Sequence, residues 1–440
     1  MMISLKPLLD FLSQHPSVSR LYVGFSGGTD SLVLLHLLTQ EPLLKSYKVC
    51  GIHVHHGLSP HANEWEKQCE AWAHTWGVSF FSHHLDLKKK KGKSLEHAAR
   101  ILRYEVFAEY MDEGSILLTA HHQKDQAETL LLQLLRGAGP KGLAAMAFSN
   151  GFASSWHLRP LLNEERSSLE TYAEYHGLKG IHDESNDDIH FDRNYLRHEV
   201  FPRILERWPG AFKTMARSAR HCGDALLFIE EVAERDFKHL WSENKISLNT
   251  LANLPTHRQQ EVLRYAMGYL KLPLCSEEVL LNILHTMYET KEDGVPFVAW
   301  PGGEARRYQG FLYLLKPVHF SPPKEEIGVR VGEPQVFSEM GASLKWEEVR
   351  GGLSFSFGDP LSLDFRKGNA RFHPKNRAHS QDLKKLMQEW KIPPWERKKI
   401  PLLYEGKDLV AVLGYSLHKT RVVSEDIMGW LPVWETGIEA

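Results

Sequence analysis

Three groups of residues in this chain have the types and spacing to do chemistry. The first is Gly24-Phe25-Ser26-Gly27-Gly28-Thr29-Asp30-Ser31. Adjacent glycines permit a tight turn and close backbone approach to a ligand, and a helix starting here would aim its unpaired first-turn N–H groups at the same point. Ser26, Thr29 and Ser31 add hydroxyl donors, so an anion suits the stretch, although it lacks the Gly-Lys-Ser/Thr ending of the familiar P-loop. Asp30 would repel a phosphate unless a divalent cation lay between them. Ordinary turn and cap chemistry accounts for Gly-Gly-Thr-Asp equally well. The second group is His121-His122-Gln123-Lys124-Asp125-Gln126-Ala127-Glu128-Thr129, in which Asp125 and Glu128 stand three apart near a helix start and project from one face. Acids there also serve simply to complement the helix dipole. The third is His53-Val54-His55-His56-Gly57-Leu58-Ser59-Pro60-His61. Four histidines in nine residues raise a zinc site, but no carboxylate stands among them, and nucleotide-contacting or plain polar loop histidines are the commoner case.

The elements that must position these groups are legible in the apolar pattern. Leu21-Tyr22-Val23 is a buried-strand run and the residues from Ser31 to Leu38 continue as an apolar helix, so the first group joins a strand to a helix. The alternation repeats with strands at 47–54, 78–85 and 115–120 and helices at 62–76, 95–110 and 123–135. Such alternation predicts a parallel sheet covered on both faces, with ligands at the carboxyl ends of its strands. All three polar groups fall at such ends.

A chain of 440 residues should hold two or three domains. Its formal net charge of −2 means that any basic surface for a polyanion must be local. Cys50, Cys69, Cys222 and Cys275 lie far apart with no C-x-x-C pair, which points away from a disulfide framework, a zinc knuckle or an iron–sulfur cluster. No run is long enough to span a membrane, and residues 1–20 form a short amphipathic helix without the apolar core of a secretory signal, so a cytoplasmic setting and no membrane partner are expected.

Ser26-Gly27-Gly28-Thr29-Asp30-Ser31 after a first strand resembles the pyrophosphate loop of the adenylating (PP-loop) ATP pyrophosphatase superfamily. Further stretches resemble one family within it, the tRNA(Ile)-lysidine synthetases. These are residues 53–66 (HVHHGLSPHANEWE), 96–104 (EHAARILRY), 117–139 (LLTAHHQKDQAETLLLQLLRGAG), Arg159-Pro160-Leu161-Leu162, Asp183-Glu184-Ser185-Asn186 and residues 191–197 (FDRNYLR). The family often has an acid where Lys124 stands, so no catalytic role is assigned there. The resemblance implies an α/β PP-loop domain over 1–208, a mainly helical tRNA-binding domain over 209–317 and a smaller α+β, basic tRNA-binding domain over 325–440. It implies a ligase that joins free L-lysine to the wobble cytidine of the CAU anticodon of isoleucine tRNA, with ATP as co-substrate and Mg²⁺ as cofactor. A homodimer stays open. The implied roles are ATP binding by Ser26, Gly27, Gly28, Thr29, Asp30, Ser31 and His53, with Asp30 on the metal. Lysine binding falls to His121, Asp125 and Glu128, and catalysis to Asp30, Asp125, Glu128 and Arg197. A tRNA thiolase of the same superfamily would usually need paired cysteines, which are absent from this sequence.

Beyond residue 209 the pattern is mostly helical, with amphipathic runs at 259–270 and 277–287 and strand-like runs from Val298 to Leu314. A Pro/Lys-rich linker at 317–324 leads to a β-rich region that includes Val329-Arg330-Val331 and Leu353-Ser354-Phe355-Ser356-Phe357. Residues 366–407 hold twelve Lys/Arg against four Asp/Glu, interleaved with Phe372, Trp390, Trp395 and Tyr404. Such a stripe fits phosphate and base contacts, or else a solvated face over a Trp-containing core. The resemblance favours the first and implies tRNA contacts by Arg193, Asn194, Arg197, Arg397, Lys398 and Lys399. Lys88 to Lys93 form a second basic run.

Overall fold

The short apolar run Leu21 to Val23 is fully buried as the centre of strand β1 (Arg20–Gly24). The computed structural model describes residues 3–55, 57, 59–85, 95–291, 294–317, 320, 322–323, 325–365 and 370–436. His56, Leu58, the Lys88–Lys93 run, parts of the 317–324 linker and 366–369 of the basic stripe lie outside these. The chain divides into two compact units, residues 1–234 and 235–440.

In the first unit, helix α1 (Lys6–Gln14) precedes β1. The alternation then runs α2 (Thr29–Gln40), β2 (Lys48–His55), α3 (Ala62–Thr75), β3 (Ser79–His84), α4 (Leu95–Glu109), β4 (Ser115–Leu118) and α5 (Gln123–Leu135). Strands β5 (Ser149–Phe152) and β6 (Ser155–Leu158) complete a six-stranded sheet of order β3-β2-β1-β4-β6-β5. All neighbours are parallel except the β5–β6 hairpin, which closes one edge antiparallel. Every residue of α2 from Ser31 to Leu38 is buried, so this helix is apolar all round and packs between the sheet and α7 (Arg166–Tyr175), which follows the short α6 (Pro140–Leu143). From β1 the chain builds β2 and β3 on one side, then crosses to β4 on the other. The crevice between the carboxyl ends of β1 and β4 is therefore the topological switch point, the usual ligand position in open α/β sheets.

Helix α5 inverts the ordinary amphipathic arrangement. Its buried first turns are polar, with Gln123, Asp125, Gln126 and Glu128 all buried, while its far end exposes Leu134 and Leu135. Opposite it stand α8 (Asp192–Tyr195), a single π-helical turn at Leu196–Val200 and α9 (Phe201–Arg207). Ala127, Leu196 and Phe201 form a small apolar cluster that holds the two against each other.

The second unit contains a five-stranded sheet built from 241–242, 245–247, 297–300, 303–308 and 311–315, packed on helices 256–269 and 277–289. Arg307 is buried there and donates to the carbonyls of Met287 (2.6 Å) and Thr290 (2.7 Å), capping the end of helix 277–289. Residues 327–436 form antiparallel sheets of five and three strands, a two-stranded ribbon and the helix Leu383–Glu389. Leu353–Phe357 differs from its strand-like alternation: only Leu353 bridges, to Val422 and Trp430. Gly351 is left-handed (φ 68°) and a Cβ on Gly352 would meet the Gly429 backbone at 2.4 Å, so the chain bends there instead of extending. Among the described residues no helix is long and apolar enough to cross a membrane.

Candidate functional site

The loop between β1 and α2 is held from several directions. Gly27 has φ +84°, open to glycine at little cost, and a Cβ there would lie 2.7 Å from both Cys69 Sγ and Ile181 Cδ1. Ile181 N–H donates to the Gly27 carbonyl at 2.9 Å, and Gly180 approaches so closely that a Cβ on it would sit 2.3 Å from the Thr29 nitrogen. His53 is buried and its Nδ1 bonds the Phe25 carbonyl at 2.9 Å, with burial lowering the imidazole from its usual value. Ser31 Oγ donates to the Gly28 carbonyl (3.0 Å) and lies 3.1 Å from Ser26 Oγ. Gly28, as N-cap, offers no side chain to the first-turn N–H groups of α2. This is a backbone cradle of fixed shape with hydroxyls at its rim.

Asp30, in the first turn of α2, connects the cradle to the second group. His122 Nε2 lies 3.5 Å from Asp30 Oδ2 and 3.5 Å from Asp125 Oδ2. Burial alone would lower the His122 imidazole, but the Asp30 and Asp125 carboxylates outweigh it and the net shift is upward. Asp30 Oδ1 is buried with no hydrogen-bond partner. A buried, unpartnered carboxylate oxygen beside a helix N-terminus fits a hard divalent cation, which takes oxygen ligands.

Asp125 and Glu128 share one face as the spacing predicts, and two arginines meet them. Arg193 donates from Nη2 to Asp125 Oδ1 (2.9 Å) and from Nε to Glu128 Oε2 (2.6 Å). Arg197 donates from Nε to Glu128 Oε1 (2.7 Å) and from Nη2 to Glu128 Oε2 (2.9 Å) and Asp125 Oδ1 (3.2 Å). Two carboxylates and two guanidiniums thus form a buried ion-pair network, joined at Asp125 by His122; Glu128 is fully buried and Asp125 nearly so. Burial would raise the Asp125 carboxyl, but the charges of His122 and Arg193 hold it well below the ordinary range. Asn194 is buried and donates to the Asp188 carbonyl at 3.0 Å, bracing the turn that carries both arginines. Lys124 is half-buried with its ammonium 5.9 Å over the Phe212 ring, and burial pulls it below its usual value.

His121 belongs to a separate chain of hydrogen bonds. Thr119 Oγ1 is 2.7 Å from both His121 Nδ1 and His157 Nε2, and Arg159 Nη2 donates to His157 Nδ1 at 3.2 Å. Burial pushes the His121 and His157 imidazoles down, to about 3 and about 2, so both are neutral at neutral pH. The third group gives stacked rings: His55 and His84 lie parallel at 4.2 Å, with His84 on Glu66 and His55 on Asn63. One ligand atom from each of His55, His84 and Glu66 lies within 4.8 Å of the others, so the carboxylate absent from the histidine run is supplied by α3, although the stacked rings would have to turn for both imidazoles to face one ion.

In the stripe, Lys384, Lys385, Lys391, Lys398 and Lys407 are exposed. Arg397 is half-buried and donates to the Ile392 carbonyl (2.9 Å) and Tyr308 Oη (3.3 Å), and Lys399 pairs with Glu396 (2.9 Å). The interleaved aromatics differ from the expected base-contacting set. Phe372 is wholly buried in a small core with Leu386 and Met387, and Trp395 packs edge-on against Tyr308 and Tyr313. Half-exposed Tyr415, stacked on Trp390, supplies the open aromatic face. Sequence reasoning misses the bridging role of His122 and the clamp at Gly180-Ile181. The only signals for them are a histidine immediately before a helix start and a glycine beside an apolar residue.

Three family models match the chain: a PP-loop domain over residues 4–204, a TilS substrate binding domain over 246–313 and a TilS substrate C-terminal domain over 361–434. The chain is 35% identical over 429 residues to the tRNA(Ile)-lysidine synthase of Coxiella burnetii, covering 96% of this chain and 95% of the relative. It is 34% identical to that of Legionella pneumophila subsp. pneumophila, covering 98% and 99%. Among solved structures, the U34-tRNA thiolase NcsA from Methanococcus maripaludis aligns over 46% of this chain and 71% of its own, with TM-score 0.39 and 16% identity.

Proposed function

This chain belongs to the tRNA(Ile)-lysidine synthase family, and from that premise we propose how its own residues form lysidine on tRNA(Ile). The enzyme uses ATP through its PP-loop domain and takes tRNA as substrate. The chemistry explains why ATP is needed. A cytosine carbonyl is a poor electrophile; attack of its oxygen on the α-phosphate of ATP expels pyrophosphate and leaves an O-adenylated base. The ε-amine of free lysine then attacks the ring carbon and AMP departs with the oxygen.

In this reading the first-turn N–H groups of α2 and the hydroxyls of Ser26, Thr29 and Ser31 hold the departing pyrophosphate. Asp30, through its unpartnered Oδ1, is the residue that would hold Mg²⁺. When bound, that ion offsets the charge that develops on the phosphates. Asp125 and Glu128 receive the lysine ammonium, and one of them takes the proton the attacking amine must lose. Asp125, held ionised by its neighbours, suits a cation-binding role. Arg193 and Arg197 neutralise this pair before the amine arrives and are within reach of an adenylate phosphate once displaced. The C-terminal lysines contact tRNA phosphates.

One observation carries the assignment: His122 touches Asp30 of the pyrophosphate loop and Asp125 of the amine-binding pair at the same 3.5 Å, which makes one site of two motifs nearly a hundred residues apart. The test measures pyrophosphate and AMP release with ATP, lysine and tRNA omitted in turn. Pyrophosphate release should need ATP and tRNA, and lysidine formation should need all three. Dependence on a sulfur donor, or no release at all, would overturn the reading.

A further inference from the structure

His55 and His84 stand outside the network that joins Asp30 to Asp125 and Glu128. They end β2 and β3 and are register partners in that parallel pair, so their side chains leave the same face of the sheet. Helix α3 meets them there. Asn63 and Glu66 stand three apart on α3 and point from one side of it. Asn63 Oδ1 lies 3.0 Å from His55 Nε2, and the two Glu66 oxygens lie 3.1 and 3.0 Å from His84 Nε2. Two ring nitrogens from the sheet and the oxygens of two side chains from the helix therefore converge. Among the described residues, His55, Glu66 and His84 are the group of three ligating side chains whose donor atoms all fall within 4.8 Å of one another.

Two imidazoles and a carboxylate are the donor set of a borderline divalent cation such as zinc, whereas magnesium prefers oxygen alone. Donors of a tetrahedral zinc site, with bonds of about 2.0–2.2 Å, stand about 3.4 Å apart. The widest pair here has at most roughly 1.4 Å to close. The side chains that must move are the free ones: that of His84 is 59% exposed and that of Glu66 22%, while His55 is buried and held by Asn63. Turning His84 out of its stack on His55 aims its Nε2 at the common point. Each imidazole then carries its proton on Nδ1 and gives the Nε2 lone pair to the ion, and Asn63 Oδ1, no longer accepting from His55, becomes a fourth oxygen donor.

We propose that His55, Glu66 and His84, with Asn63 as the fourth donor, form a zinc site that ties the ends of β2 and β3 to α3. It differs from the Mg²⁺ position at Asp30 in both donor set and place, and it does not depend on the lysidine reading. Its location gives it a hold on the pyrophosphate loop. One turn beyond Glu66, α3 carries Cys69, the residue a Cβ on Gly27 would strike, and two residues before His55 the imidazole of His53 bonds the Phe25 carbonyl. A cation joining these elements stiffens the wall against which the loop rests, so its role is structural.

The test titrates zinc into the full-length protein, stripped of metal and kept in excess Mg²⁺, against a competing chromophoric chelator. The wild type should hold one zinc that His84→Ala and Glu66→Gln each weaken by at least about 100-fold, beyond the 10–100-fold that losing an outer-sphere partner costs. Asn63→Ala should cost about 10-fold. The zinc-free proteins should share one circular dichroism spectrum and melting temperature, and zinc should raise the melting temperature of the wild type alone. Cobalt in place of zinc should give the bands of a tetrahedral nitrogen–oxygen site without thiolate charge transfer. Equal zinc affinity in the wild type and both variants, a thiolate signature from Cys69, or no zinc held by the wild type against the chelator would each overturn the site.

Discussion

The acid–arginine network of the first unit and the basic stripe of the second both concentrate charge, but they do so in opposite ways. Asp125, Glu128, Arg193 and Arg197 are paired within 3.2 Å, with Glu128 fully buried and the two arginines about a quarter exposed. The stripe's Lys384, Lys385 and Lys398 project from exposed positions, and the stripe's charges that do pair, such as Lys399 with Glu396, pair at the surface. A buried paired cluster fixes geometry and resists salt. An exposed unbalanced one acts over about a Debye length and is tuned by salt. Chemistry needs the first kind of electrostatics, and gripping a polyanion needs the second.

The sharpest way to break this division is at the loop. Asp30→Asn should cut pyrophosphate release by about 10³-fold while tRNA binding persists, because the cation link is lost and the stripe is untouched. Near-normal release from a folded variant would sink the role of Asp30. Next, Glu128→Gln removes the negative charge and one of the two acceptor oxygens that face Arg193 and Arg197, and breaking a buried ion pair from one side costs about 3–5 kcal/mol. Denaturant unfolding should register that loss, and the loss should be nearly the same at low and high salt; strong salt dependence would place the network among surface pairs.

For the stripe, combined Lys384→Glu, Lys385→Glu and Lys398→Glu should weaken tRNA binding and lower the slope of log affinity against log salt by about three, roughly one for each lost phosphate contact. ATP binding should hold, and a minimal anticodon stem-loop should react as with the wild type. Equal impairment on both substrates would end the proposed division of labour. Arg397 and Lys399 are poorer choices, since their substitution also removes contacts to Tyr308, Ile392 and Glu396.

The smallest effect concerns pH. Unfolded, His121 and His157 take up protons as pH falls below about 6.5, whereas folded they stay neutral to about 3 and about 2, so stability should fall as pH drops through that window. Asp125, lowered in the folded state, adds a further loss below the ordinary Asp value of 3.8. His122 acts in the other direction, contributing stability below 6.5 that is lost as pH rises through its raised value. His157→Gln should flatten the slope between pH 6.5 and 4 by about one proton. An unchanged slope would mean that His157 is already charged in the folded protein.

Elements with strong periodicity are legible in the sequence itself. Strands 47–54 and 78–85 and helix 123–135 fall where the apolar pattern puts them, because burial of a period-2 or period-3.6 face is decided locally. The shared face of Asp125 and Glu128 is legible for the same reason. What closes on that face is not: Arg193 and Arg197 come from 65 to 72 residues away, and no local pattern reports which acid an arginine will meet. The Leu353–Phe357 alternation misleads because two glycines and a close backbone approach outweigh a period-2 pattern. Phe372 and Trp395 mislead because aromatic residues in a basic stripe look alike whether they face a core or a base.

The clamp on the pyrophosphate loop has a consequence for how the protein is made. Gly27 and Thr29 take their shape against Gly180 and Ile181, and Glu128 obtains its arginine partners only at Arg193 and Arg197, 65 and 69 residues later. During synthesis at about 5–20 residues per second, the polar face of α5 therefore waits roughly 3 to 14 s after leaving the ribosomal active centre before its arginines exist. In that interval the strands and α2 can assemble, but a buried acid pair has nothing to neutralise it. Ribosome pausing before residue 197 would prolong the exposure of this half-built sheet to chaperones and proteases.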